Sequence, residues 1–347
     1  MQKIKTALLS YGMSGRVFHA PFITVTEGLE LSGSWERSKK VIEEKYPSVH
    51  SYTSLDEILN DNSIGLVIVN TPTNTHFEYA SKALLAGKHV VVEKAFTTTV
   101  EEAETLKKIA DQQRLKIAVY QNRRWDSDFR TVKKVIESHI LGTINEMEIH
   151  FDRYKIELSP KLHKESPNKG SGLLKDLGPH IIDQALCLFG MPLQLFADIR
   201  ITRPGSLVDD YFDILLYYPQ HRVSLKAGYI IKEALPAYIV HGTKGSFIKS
   251  RADVQETNLQ KGMLPVTADW GTEPENEAGI IHYEKDGISI RENIHTLKGD
   301  YREFYTGVYK ALTEDCPMPV TVDDGIQVMK IIEAALKSSK EQHVLTF

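Results

Sequence analysis

Over the first 121 residues, short apolar runs rich in β-branched side chains alternate with longer stretches in which apolar residues recur every three or four positions. The runs Ile4 to Ser10, Leu29 to Trp35, Leu66 to Asn70, His89 to Glu93 and Leu115 to Tyr120 predict strands. The stretches between them carry helix start and stop signals. Ser54 with Glu57, and Thr99 with Glu102, have the spacing of a capping box, and Gly87 closes the segment containing Tyr79 to Ala86. Strand and helix in alternation predict a parallel sheet covered on both faces.

Beyond residue 121 the texture changes. An amphipathic segment, Ser127 to Ser138, leads into the alternating runs Ile144 to Tyr154, Gln194 to Thr202, Tyr211 to Tyr218 and Arg222 to Ile230, which suit a largely antiparallel sheet with one covered face. Gly242-Thr243-Lys244-Gly245 reads as a tight turn between two more strands, and Gly262 to Gly279 as a long surface loop. Two helical segments close the chain, Asp300 to Glu314 and Asp323 to Ser338. The expected organisation is therefore two domains, 1–121 and 122–347, and 347 residues suffice for two cores.

Charge narrows the partners. The formal net charge is -4 and no segment gathers Lys and Arg, so the basic footprint of a nucleic-acid binder is absent. Cys187 and Cys316 form neither a disulfide framework nor a zinc-spaced pattern, and read as thiols in a reducing compartment. The apolar run after the basic Met1 to Lys5 is too short for a signal-peptide core or a membrane span, so a cytoplasmic protein without membrane attachment is expected.

The first strand runs into Ser10-Tyr11-Gly12-Met13-Ser14-Gly15, where a dinucleotide fold places its phosphate turn. Gly12 lets backbone approach a pyrophosphate, Gly15 lets the helix pack closely on the strand, and Met13 and Ser14 lie between them; Ser10 stands where a complete fingerprint has a glycine. Glu36 follows Gly15 by 21 positions, a spacing that suits a carboxylate on an adenosine ribose. Arg37 beside it is suited to a 2′-phosphate or to stacking on adenine, and equally to a solvated loop, so the cofactor is NAD or NADP. Thr71, Asn74 and His76 follow a strand at the carboxyl edge, as cofactor contacts or as helix-capping residues. Glu93 and Lys94 close the next strand at the same edge, where a lysine beside a positively charged nicotinamide is suited to acid/base work.

Gly170 to Asp183 is the most pointed segment of the second domain. Leu173, Leu177, Ile181, Ala185 and Leu188 recur at helical spacing, leaving Asp176, His180, Gln184 and Cys187 on a neighbouring stripe. Gly178-Pro179 is expected to kink that helix beside Asp176 and His180. Such a pair is suited to a proton relay, to metal binding, or to capping a kink; no third ligand is evident, so no metal site is assigned.

Together these segments resemble the Gfo/Idh/MocA family of oxidoreductases. The likeness runs through Gly12 to Pro21, Thr71-Pro72 with His76, Gly87 to Lys94, Asn122-Arg123-Arg124-Trp125-Asp126, and Asp176 to Asp183. The resemblance implies an N-terminal Rossmann domain with a doubly wound parallel sheet, followed by an α+β domain whose large, mainly antiparallel open sheet carries a homo-oligomer interface, dimer or tetramer. It also implies oxidation of a secondary alcohol on a sugar, sugar acid or cyclitol. On this footing Lys94, Asp176 and His180 are the catalytic residues, and Arg123 and Trp125 line the cofactor and substrate cleft or form a structural hinge. Ala95 stands where the family has proline. Two other readings remain: a non-catalytic sensor of dinucleotide or sugar on the same fold, and a reductase of a non-sugar carbonyl or imine, which would need an apolar pocket.

Overall fold

The strands expected in the first third form, in a computed structural model that describes residues 3–36, 40–160, 165–314 and 316–347. They are β1 (Ile4–Leu8), β2 (Leu29–Trp35), β4 (Ile64–Val69), β5 (His89–Glu93) and β6 (Ile117–Tyr120). A further strand, β3 (His50–Tyr52), is three residues long, too short to show a period. All six pair in parallel in the order β3-β2-β1-β4-β5-β6. Val90, Val91 and Val92 are all fully buried, so consecutive side chains on opposite faces of β5 are both covered. The strand order reverses between β1 and β4, and the turns after these two strands meet at that switch point.

The capping boxes behave as their spacing demands. The Ser54 side chain accepts the Glu57 amide at the start of Leu55–Asn60, and the Thr99 side chain accepts the Glu102 amide at the start of Val100–Gln113. Glu102 in turn accepts the Thr98 amide at 2.9 Å. Each exchange satisfies amides that a helix start leaves without an intrahelical acceptor.

The second sheet has nine strands: β7 (Ile144–His150), β8 (Gln194–Arg200), β9 (Tyr211–Tyr217), β10 (Arg222–Gly228), β11 (Tyr238–Gly242), β12 (Gly245–Lys249), β13 (Gly279–Lys285), β14 (Ile288–Ile294) and β15 (Leu345–Thr346). Their order is β14-β13-β12-β11-β7-β10-β9-β8-β15. Every pairing is antiparallel except that of β7 with β10. In β9, Phe212, Ile214 and Leu216 are fully buried while Tyr211, Asp213 and Leu215 are half-exposed, the alternation of a sheet with one covered face. The hairpin β13–β14 turns at Asp286-Gly287, both at positive φ, as a two-residue turn of the right hand for a twisted ribbon requires.

The loop Gly262 to Gly279 has only a short turn, Glu275–Glu277, but it is anchored. Trp270 is buried and donates its indole N–H to Gln255, and Glu273 is buried against Lys249 and Ser127. The chain divides into two compact units, 1–122 with 255–270 and 300–329, and 123–254 with 271–299 and 330–347. Among the described residues no helix is long and apolar enough to cross a membrane.

Candidate active site

In the first unit the turn after β1 is closed by its own side chains. Ser10 Oγ accepts the Gly12 amide at 3.1 Å, so the residue replacing a glycine stabilises the turn it occupies. Asn70, just past β4, donates to the Ser10 carbonyl at 2.7 Å and ties the two strand ends together at the switch point. A Cβ on Gly15 would fall 2.3 Å from that carbonyl oxygen, so only glycine fits there without backbone movement. Met13 at the crest of the turn is exposed.

The residues expected around the adenosine end have other partners. Glu36 Oε1 accepts the Val41 amide at 3.1 Å, and Oε2 accepts the Ile42 amide and the Ser51 hydroxyl at 3.1 and 3.2 Å. Its carboxylate thus caps the helix Val41–Lys45. Arg37 lies outside the described residues. Thr71 shares a hydrogen bond with Thr75 at 2.7 Å, and Asn74 is exposed in the turn Thr73–Thr75. His76 is fully buried: Nε2 faces the Thr71 carbonyl at 2.8 Å, and Nδ1 faces the Ala95 and Phe96 carbonyls at 2.9 and 3.2 Å. Burial lowers its pKa, and a neutral imidazole has one N–H, so it donates to one of these two sides.

Lys94 follows β5, half-buried, and its peptide bond to Ala95 is cis. Glu93 before it is buried and points into a polar cluster. Its Oε1 accepts from Ser14 Oγ at 2.6 Å and faces His19 Nε2 at 3.0 Å, and its Oε2 accepts the Lys94 amide at 3.1 Å. Burial works against this charge, but the hydrogen bond and charge of His19, with Ser14 and Lys94, outweigh it and hold the carboxyl down to about 2. The other nitrogen of His19 meets the Tyr305 hydroxyl at 2.5 Å.

In the second unit, Gly172 at φ +100 lies against Asp209, whose Oδ2 accepts the Leu174 amide at 2.7 Å and fixes the start of Leu173–Asp176. A second helix, Gly178–Phe189, follows after a break at Leu177, with Pro179 in its first turn where a missing amide costs little. The expected kink is thus a full interruption between two helices. Asp176, half-buried, and His180, buried, lie on either side of it. The His180 ring is 6.3 Å from that of Phe151, and three guanidiniums gather at Phe151: Arg251 at 4.2 Å and Arg123 and Arg153 at 5.2 Å each. Tyr229, whose ring lies 4.6 Å from the Arg203 guanidinium, is within electrostatic range of Asp176 and Arg153. Burial pushes its hydroxyl up to about 12, with Asp176 adding to the shift and Arg153 opposing it.

Arg123 pairs with Asp126 at 3.1 Å, its carbonyl accepts from Gln184, and Trp125 ends the same short turn, Asn122–Trp125. Arg124 forms a two-pronged pair with Asp183, at 2.8 and 2.7 Å. Among the described residues no three His, Cys, Asp or Glu side chains converge as metal ligands. Phe151, Tyr229 and Tyr305 carry no local signal of their places here, and the partners of Ser14 and His19, Glu93 and Tyr305, lie far off in sequence.

Residues 4–121 match the family model described as an oxidoreductase NAD-binding Rossmann fold, and residues 133–347 match its C-terminal alpha/beta domain. The chain belongs to the Gfo/Idh/MocA oxidoreductase family. As a member it is an NAD(P)-dependent dehydrogenase. The scyllo-inositol 2-dehydrogenase (NADP(+)) IolW of Bacillus subtilis is 38% identical over 342 residues, covering 99% of this chain and 95% of that protein. The uncharacterized oxidoreductase YdgJ of Escherichia coli is 36% identical over 342 residues, 99% of this chain and 98% of its own. The crystal structure of an oxidoreductase from Bacillus cereus superposes with a TM-score of 0.92 at 34% identity, covering 99% of each chain.

The switch point fits the family's dinucleotide. Gly12 and Gly15 let the turn close tightly into a cradle, where a Cβ on Gly15 would strike the Ser10 carbonyl, and Asn70 Oδ1 beside it is a buried acceptor with no partner among the described residues. Gly15→Ala is expected to cost about 1–3 kcal/mol of stability through overpacking. Because the displaced backbone belongs to the cradle, dinucleotide affinity should fall with it; thermal melts with and without NADP, and a fluorescence titration with NADPH, measure both.

Proposed function

We propose that this dehydrogenase moves a hydride between its nicotinamide cofactor and a secondary alcohol carbon of a sugar, sugar acid or cyclitol, with Lys94, Asp176 and His180 as its acid/base group. The observation that carries the reading is the pair Asp176 and His180, held on either side of the Leu177 break with Arg153 and Tyr229 as polar company. Those groups suit a ligand dense in hydroxyls better than the apolar pocket that a non-sugar carbonyl or imine requires. Asp183 is paired with Arg124, and the carboxylate we assign to ordering an imidazole or a substrate hydroxyl is Asp176.

Bound NAD(P) supplies the hydride acceptor in oxidation and the donor in reduction. In oxidation the hydroxyl proton passes to the neutral amine of Lys94 or the neutral imidazole of His180 as the C–H bond breaks, and a ketone forms; reduction returns that proton to the carbonyl oxygen. Asp176 accepts a hydrogen bond from a neighbouring hydroxyl and favours the charged form of its partner.

The cofactor we assign is NADP. Glu36, the acid placed to select a free ribose, caps Val41 and Ile42 and accepts from Ser51, and IolW is named for NADP(+). Incubating the protein with either nucleotide and a panel of inositols, aldoses and sugar acids, and following absorbance at the reduced nicotinamide, tests both points. Turnover of at least one polyol, with kcat/KM at least about tenfold higher for NADP than for NAD, is expected, a preference of roughly 1.4 kcal/mol. Tight binding of nucleotide and polyol with no turnover would instead establish a sensor.

A further inference from the structure

The stretch Arg16 to Pro21 contributes His19 to a buried chain of contacts that the proton transfer itself does not use. That chain joins three segments: the phosphate turn through Ser14, the end of β5 through Glu93, and the helix Arg302–Thr313 through Tyr305. We infer that Glu93 is a positioning residue, whose two carboxylate oxygens clamp the phosphate turn to the backbone of Lys94 so that cofactor binding and placement of the amine are set together. The inference rests on the proposed role of Lys94.

The geometry divides the work between the two oxygens. Oε1 holds Ser14 at 2.6 Å and His19 at 3.0 Å, and Oε2 holds the Lys94 amide at 3.1 Å. An ionised Glu93 has no proton to offer, so His19 Nε2 is the donor in that contact. The other ring nitrogen, Nδ1, meets the Tyr305 hydroxyl at 2.5 Å, and burial keeps that hydroxyl protonated. His19 and Tyr305 are fully buried, and the Tyr120 ring lies 4.6 Å from the imidazole, so the ring that fixes Glu93 is itself fixed. Ser14, His19 and Lys94 face the carboxylate, while His76 and Tyr305 sense its charge. A buried charge is a poor choice for packing alone. Its contacts reach both the turn that takes the pyrophosphate and the residue that takes the proton.

Glu93→Gln tests this. The amide keeps the size, removes the charge, and with its oxygen toward Ser14 and His19 sets an N–H against the Lys94 amide. Two readouts apply, each compared with rescue by Glu93→Asp: NADPH affinity by fluorescence, and kcat at saturating nucleotide on the polyol turned over. Affinity is expected to fall about tenfold and kcat about 10- to 100-fold, the scale of losing hydrogen bonds to a charged acceptor. Glu93→Asp, which keeps the charge and the acceptor oxygens, should recover part of both losses. Tyr305→Phe, a near-isosteric change that loosens only His19, should shift affinity and kcat the same way by about threefold, and serves if Glu93→Gln does not fold.

A lowered melting temperature with affinity and kcat both unchanged would show a purely structural acid and overturn the inference. Should no polyol be turned over by the wild type, the proposed chemistry fails while the clamp is still decided by NADPH affinity: a tenfold loss in Glu93→Gln supports it, and an unchanged value ends it.

Discussion

Lys94→Ala should lower kcat by about 10²- to 10⁴-fold, the range for a positioned general acid or base, while NADPH affinity changes by no more than about threefold. The side chain follows a strand whose burial leaves little room for adjustment, and its amide is held by Glu93, so truncation at Cβ removes the amine without disturbing the backbone. The substitution therefore separates chemistry from binding, which Glu93→Gln is expected to impair together. Steady-state rates at saturating nucleotide, with a melting curve to show an intact fold, make the measurement. Turnover within a few-fold of wild type would remove the lysine from the acid/base group and leave that role to His180.

The second large effect is on stability. Lys249 and Glu273 form an ion pair at 2.6 Å whose side chains are both fully inaccessible. Lys249 also donates to the Glu277 carbonyl at 2.7 Å, and Glu273 accepts from Ser127 at 2.5 Å. Burial already raises the Glu273 pKa against the opposing pull of Lys249 and Ser127. Lys249→Met leaves that carboxyl without its cation and is expected to cost about 3–5 kcal/mol, whereas the double variant Lys249→Met/Glu273→Leu should recover most of the loss. Chemical denaturation of the single and double variants reads the difference directly. A single-variant loss below about 1 kcal/mol would mean that water or a rearranged neighbour reaches the acid, against the burial described.

The parts legible in the sequence are those whose cause is local. β2 and β5 were readable to the residue, β2 because apolar Leu29, Leu31 and Trp35 alternate with polar or small residues, β5 because three valines fill a run bounded by His89 and Glu93, and both capping boxes declared themselves by spacing. β3 and β15, at three and two residues, are too short for any period. The hairpin β13–β14 is exposed along much of its length and went unread in the sequence, although Asp286-Gly287 is a local signal for its turn. The same division holds at the site. Lys94, Asp176 and His180 stand in readable motifs, whereas Tyr305 reaches His19 across 286 positions and Tyr229 comes within electrostatic range of Asp176 only through the folding of a sheet. Glu36 shows the limit of spacing: its distance from the glycines suggested a ribose ligand, while the capping of Val41 and Ile42 was equally local and went unread.

The single parallel pairing in the second sheet has its effect at its ends. Two neighbouring strands that run the same way finish on the same side, so the chain leaving β7 and the chain leaving β10 emerge as companions: the Arg153 amide reaches the Gly228 carbonyl at 2.9 Å, and the Lys155 amide the Tyr229 carbonyl at 2.7 Å. Were β10 reversed, Tyr229 would exit at the far margin, about 20 Å away for a seven-residue strand. One change of direction thus delivers a phenol and a guanidinium from remote stretches of sequence to the same end of the sheet.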